Sequence, residues 1–135
     1  MIIGEYSAVA ILAENVRAEM EGRYTIIGTI HENMHVPSFP TTLPFGMLIR
    51  IEPVPPKNIP LHIKVVGGDT TYLDSTIESP GPSEDSEAPS ISIAGSTILN
   101  IQNPERVEVF LAIDGLEPMR VGLVKIEKML PAETE

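Results

Sequence analysis

The chain has 135 residues, of which 42% are hydrophobic and 21% charged, with a formal net charge of −10. Those proportions fit one soluble globular domain able to bury its own core, not a disordered chain. The acidic balance opposes phosphate backbones and anionic headgroups, so neither nucleic acid nor membrane is an expected partner, and the lack of cysteine excludes disulfides and thiolate metal sites.

Tyr6 opens a strand-like run over 6–13, and Glu14–Glu19 has room for a single helical turn. No basic leader precedes the short apolar run, and no apolar stretch approaches the ~18 residues of a membrane span, so the expected location is cytoplasmic. Residues 23–31 alternate: Tyr24, Ile26, Gly28 and Ile30 against Arg23, Thr25, Ile27 and Thr29. Period two marks a half-buried strand.

His31-Glu32-Asn33-Met34-His35 follows directly, matching the H-E-x-x-H pattern of zinc proteases. That chemistry needs a helix, where both imidazoles share one face and the glutamate acts as base. In a strand the two histidines would sit about 13 Å apart at ~3.3 Å per residue, whereas each zinc–nitrogen bond is only about 2.1 Å. Pro37 biases Val36 away from helical dihedrals, and the strand pattern runs into the motif from before it. The expectation is therefore a polar strand end leading into a loop. His31, Glu32 and His35 remain the metal candidates, should a turn bring them together. Val36 to Pro44 should take an extended, polyproline-like path, with Phe39 and Leu43 plugging the end of the core.

Further strands are expected at 45–52, 60–67 and 70–78, the last two joined by a hairpin at Gly67-Gly68-Asp69. Leu61, Ile63 and Val65 point one way and His62 and Lys64 the other. Residues 79–89 carry no large apolar side chain and are expected to form a mobile acidic loop. Glu78, Glu84, Asp85 and Glu87 offer oxygen ligands there, but the spacing lacks a calcium-loop pattern, which favours solvated charge. Strands at 90–101, with a break at Ala94-Gly95-Ser96, and at 106–114 follow. Asp114-Gly115 then makes a tight turn into 117–127, which changes face near Leu123-Val124 and so needs a bulge. Residues 129–135 should be a frayed tail. No G-x-S-x-G, phosphate loop or dinucleotide fingerprint occurs.

Several short segments carry a resemblance: Ala13-Glu14-Asn15-Val16-Arg17, Glu21-Gly22-Arg23, Ile26-Ile27-Gly28, Val36-Pro37-Ser38-Phe39-Pro40, Leu43-Pro44, Val109–Gly115 and Arg120-Val121. In this order they resemble a family of small bacterial and phage-associated domains of unknown function. The resemblance implies a compact β domain and brings no activity, ligand or catalytic residue. Glu32 and His35 are not positions associated with it.

The expected fold is one all-β domain over 1–135, an antiparallel sandwich of seven or eight strands, Greek-key or immunoglobulin-like or C2-like, with a closed barrel as rival. With no helices to cover the alternating faces, a second sheet must do so. The expected function is a non-catalytic interaction or structural module with no cofactor. Exposed strand edges and the proline-rich connection offer routes to self-association or to binding another protein. The alternatives are a metal-dependent hydrolase using His31–His35 and a divalent-cation or small-ligand sandwich using the acidic loop.

Overall fold

Alternation of apolar and polar side chains produces ten strands and no helix among residues 2–19, 23–82 and 89–130, the part of the chain described by the computed structural model. They are β1 (Ile2–Ile3), β2 (Tyr6–Ala18), β3 (Tyr24–Thr29), β4 (Asn33–Val36), β5 (Thr41–Glu52), β6 (Pro60–Gly67), β7 (Thr70–Glu78), β8 (Ile91–Ile101), β9 (Glu105–Ile113) and β10 (Met119–Lys128). Two five-stranded sheets form, as a sandwich requires. The first runs β1-β2-β5-β8, with β3 also paired to β2, and the second runs β4-β10-β9-β6-β7.

The core lies between them. Phe45, Met47, Ile49 and Ile51 of β5 share one cluster with Leu61, Ile63 and Val65 of β6 and with Val107, Val109, Leu111 and Ile113 of β9. Phe39 and Leu43 are partly buried against that cluster, as the plug expectation requires. Pro44 stands within β5, where the ladder with β2 has already ended at Ala13–Gly46 and only β8 pairs, through Ile98. Its missing N–H can therefore fall on the unpaired side.

Five local expectations need correction. Glu14–Ala18 is not a helical turn: it continues β2 and pairs with β3. A lone turn would have had nothing to pack on, whereas the strand gains a full ladder. Residues 94–96 do not break β8, which pairs with β5 without interruption from Ile91 to Ile101. Gly95 faces inward opposite Met47, leaving room for that side chain. The bulge in β10 lies between Arg120 and Gly122, earlier than Leu123. A Cβ on Gly122 would stand 3.2 Å from the Leu12 methyls, so the side-chain-free residue takes up the irregularity.

β3 ends at Thr29, and residues 33–36 form a separate strand in the other sheet, paired parallel to β10. The second sheet is therefore mixed, not purely antiparallel. The crossover is secured at both ends: the Ile30 N–H donates to the Leu12 carbonyl at 2.7 Å, and the Lys125 N–H donates to the Glu32 carbonyl at 2.8 Å. Finally, Ser79 and Gly81, the start of the expected mobile loop, are buried. The Ser79 hydroxyl donates to the Pro55 carbonyl at 3.0 Å and accepts from the Gly81 N–H at 3.1 Å.

The expected hairpins form. Gly68 takes φ +55° in the β6–β7 turn, and Asp114 and Gly115 take φ +52° and +70° after β9. A glycine suits such positions because positive φ costs it little.

β2 extends well past its ladder with β5. Beyond Ala13 it leaves with β3 as a two-stranded arm that folds back over the outer face of the first sheet. A Cβ on Gly46, which points outward between the buried Phe45 and Met47, would lie 3.0 Å from the Val16 backbone nitrogen. At the far side of the same face, the Tyr24 hydroxyl donates to the Ser92 carbonyl of β8 at 3.0 Å.

The two sheets are stitched along the β7–β8 edge. The Thr97 hydroxyl of β8 donates across to the Tyr72 carbonyl of β7 at 2.9 Å, while within the second sheet the Tyr72 hydroxyl donates to Glu105 Oε1 of β9 at 2.5 Å. Burial, reinforced by the Glu105 hydrogen bond and charge, pushes the Tyr72 phenol up from 10.0 to about 12. A raised phenol stabilises the fold fully below its unfolded value, and that stability is lost as pH rises from about 10 towards 12. Absorbance titration of the chain's three tyrosines should therefore show one ionising near pH 12, moved lower in Glu105→Gln. Three tyrosines all ionising near pH 10 would contradict the burial of Tyr72 and its bond to Glu105.

Candidate functional site

The H-E-x-x-H residues straddle the crossover between sheets. His31 is exposed in the connection after β3, and Glu32 contributes its carbonyl to the β10 ladder edge. His35 is the outward residue between Met34, packed on the core, and the buried Val36. Its Nε2 lies 3.5 Å from Glu127 Oε2 on the neighbouring β10, the residue directly opposite it in register. No helix presents the two imidazoles on one face. Among the described residues, no group of three or more His, Asp or Glu side chains is placed to hold a metal ion. Glu78 ends β7 in an exposed position, whereas Glu84, Asp85 and Glu87 fall outside the described residues.

The second imidazole of interest is His62, outward on β6 as its alternation predicts. Its Nε2 hydrogen-bonds Asp74 Oδ1 on β7. That bond, aided by the His62 and Lys64 charges, holds the Asp74 carboxyl below its usual range. Proteins also use such His–Asp pairs to activate hydroxyl nucleophiles. Here the pair is a diagonal cross-strand contact: His62 stands opposite Thr76, and Lys64 opposite Asp74.

Two surface features went unnoticed in the sequence. On the outer face of the first sheet, Ile11, Leu48 and Ala94 form one cross-strand row, with Val9 beside it. Val9 is 58% exposed, Ile11 40% and Ile98 59%, although each has a large apolar side chain. Farther along, a cleft between the arm and this face is lined by Asn15, Ile27, Pro44 and Ile98. On the outer face of the second sheet, Phe110 stands directly between Lys64 of β6 and Arg120 of β10. Alternation already assigns these residues to outward positions, but the order in which strands lie side by side is needed to see them as neighbours.

No protein-family model and no curated protein matches the chain.

Proposed function

We propose that this chain is a non-catalytic protein-interaction or structural module acting in the cytoplasm, built on a sandwich of Greek-key, immunoglobulin-like or C2-like kind. The observation that carries the reading is the apolar outer face of the first sheet. Val9, Ile11 and Ile98 keep large fractions of their surface in water at 58%, 40% and 59%. Val9 and Ile11 are successive outward residues of β2, Ile11 in one row with Leu48 and Ala94, while Ile98 lies beyond the arm; adjoining exposed apolar side chains of this kind mark contact sites. Support also comes from two of the three histidines, which are drawn into cross-strand carboxylate pairs at His35–Glu127 and His62–Asp74.

Native mass spectrometry of protein purified without chelator tests this reading. The expected result is a metal-free species that associates with itself or with captured protein. Replacing Val9, Ile11 and Ile98 together with serine should abolish the association and change stability by only about 0.5 kcal/mol per site, as at exposed positions. Stoichiometric zinc that disappears in His31→Ala would instead establish the metal-dependent hydrolase.

A further inference from the structure

We propose that the outer face of the second sheet docks an extended acidic segment of another protein. Its carboxylates would meet Lys64, Arg106 and Lys125, and an apolar side chain would enter the groove beside Phe110. This face is separate from the apolar row of the first sheet.

The charge distribution carries the inference. The chain has 9 basic and 19 acidic side chains, yet Lys64, Arg106, Arg120 and Lys125 all project from the outward positions of β6, β9 and β10. The carboxylates among them are already engaged: Asp74 by His62, Glu127 by His35 at 3.5 Å, and Glu108 by Arg120 at 3.2 Å, which leaves Lys64, Arg106 and Lys125 as the cations of this face outside those pairs. Arg106 and Lys125 are exposed and directly opposite each other across the β9–β10 ladder. Like charges in direct cross-strand register repel, and no ion pair with a carboxylate relieves either one among the described residues. An incoming carboxylate between them would remove that repulsion.

The apolar component lies on the same face. Val66, Phe110, Ala112 and Pro118, with His62 and Lys64, line an open groove of about 300 Å³. Phe110 sits in its wall with a cation directly opposite on each side, Lys64 on β6 and Arg120 on β10. An apolar floor flanked by cations matches alternating acidic and apolar side chains, which an extended peptide projects at period two. A nucleic acid fits less well, because its phosphates would approach a chain of net charge −10 over a floor with few polar groups.

Fluorescence anisotropy tests the assignment with a short fluorescein-labelled synthetic peptide of glutamates interspersed with phenylalanine and leucine. The expected result is saturable binding that weakens as salt rises. The same peptide with glutamine for glutamate should bind at least about tenfold more weakly. Lys64→Gln, Arg106→Gln and Lys125→Gln together should also weaken binding about tenfold, or about 1.4 kcal/mol, with the thermal melt not lowered, because the change removes the Arg106–Lys125 repulsion and leaves the His35–Glu127, His62–Asp74 and Arg120–Glu108 pairs in place. The serine variant at Val9, Ile11 and Ile98 should keep full peptide binding, so failure on one face is distinguishable from failure on the other. No binding, equal binding of the glutamine peptide, or equal binding by the triple variant overturns the assignment. Tighter binding of a single-stranded oligonucleotide gives the face to nucleic acid, and an oligomer that the triple variant dissociates gives it to a second copy; both overturn it.

Discussion

Phe45→Ala is expected to destabilise the domain by about 3–5 kcal/mol, the range for removing a fully buried aromatic ring. Phe45 is 1% exposed, and it lies on β5, whose inward residues Met47, Ile49 and Ile51 continue the same cluster. With 4% aromatic residues and no tryptophan, few other side chains have the volume to fill the space left behind. The neighbouring inward positions are held by strand ladders on β8, so the backbone cannot collapse far into the cavity. For a domain of this size, the loss corresponds to a fall in melting temperature on the order of 10 °C. Thermal and urea denaturation followed by circular dichroism would measure it. A loss below about 1 kcal/mol would mean the two sheets do not close on this residue as described.

Gly46→Ala is the more diagnostic substitution, because it acts on the arm and not on the core. The added methyl would lie 3.0 Å from the Val16 nitrogen and 3.3 Å from the Asn15 carbonyl carbon. Those are backbone atoms, so relief requires the arm to lift, at a cost of about 1–3 kcal/mol, typical of overpacking. The arm holds Arg17 in β2 and Arg23 just before β3, and trypsin cleaves after arginine. Cleavage at these residues should accelerate in Gly46→Ala, since proteolysis follows the population of the locally open form. Tyr24→Phe removes the hydrogen bond to Ser92 and should show the same change more weakly, at about 1 kcal/mol. Unchanged cleavage in both variants would mean the arm is not held by these two contacts.

Most of the strands were legible along the chain because period-two alternation is a local signal. The expectations for 60–67 and 70–78 coincide with β6 and β7, and that for 106–114 lies within a residue of β9. The errors share one cause. Glu14–Ala18, Asn33–Val36 and Thr41–Pro44 carry weak or interrupted patterns and become strands because a neighbour supplies the ladder: β3, β10 and β8 respectively. Proline misled at Pro44, since its missing donor matters only on a side that is paired. The face change in β10 was read correctly, but its position was decided by Leu12, which packs over Gly122 from another sheet.

For the candidate sites the division is similar. Pro37 and the alternation before His31 were enough to deny His31-Glu32-x-x-His35 a helix, because backbone dihedrals and side-chain period are local properties. Only the fold showed that the five residues cross from one sheet to the other, that His35 meets Glu127, and that His62 meets Asp74. Composition and alternation thus determined an all-β chain, its inward residues and its acidic character. The pairing of strands distant in sequence decided the mixed second sheet, the folded-back arm, and which charged and apolar side chains stand together on each outer face. A strand's periodicity dictates which way its side chains point but carries no information on which strand lies beside it.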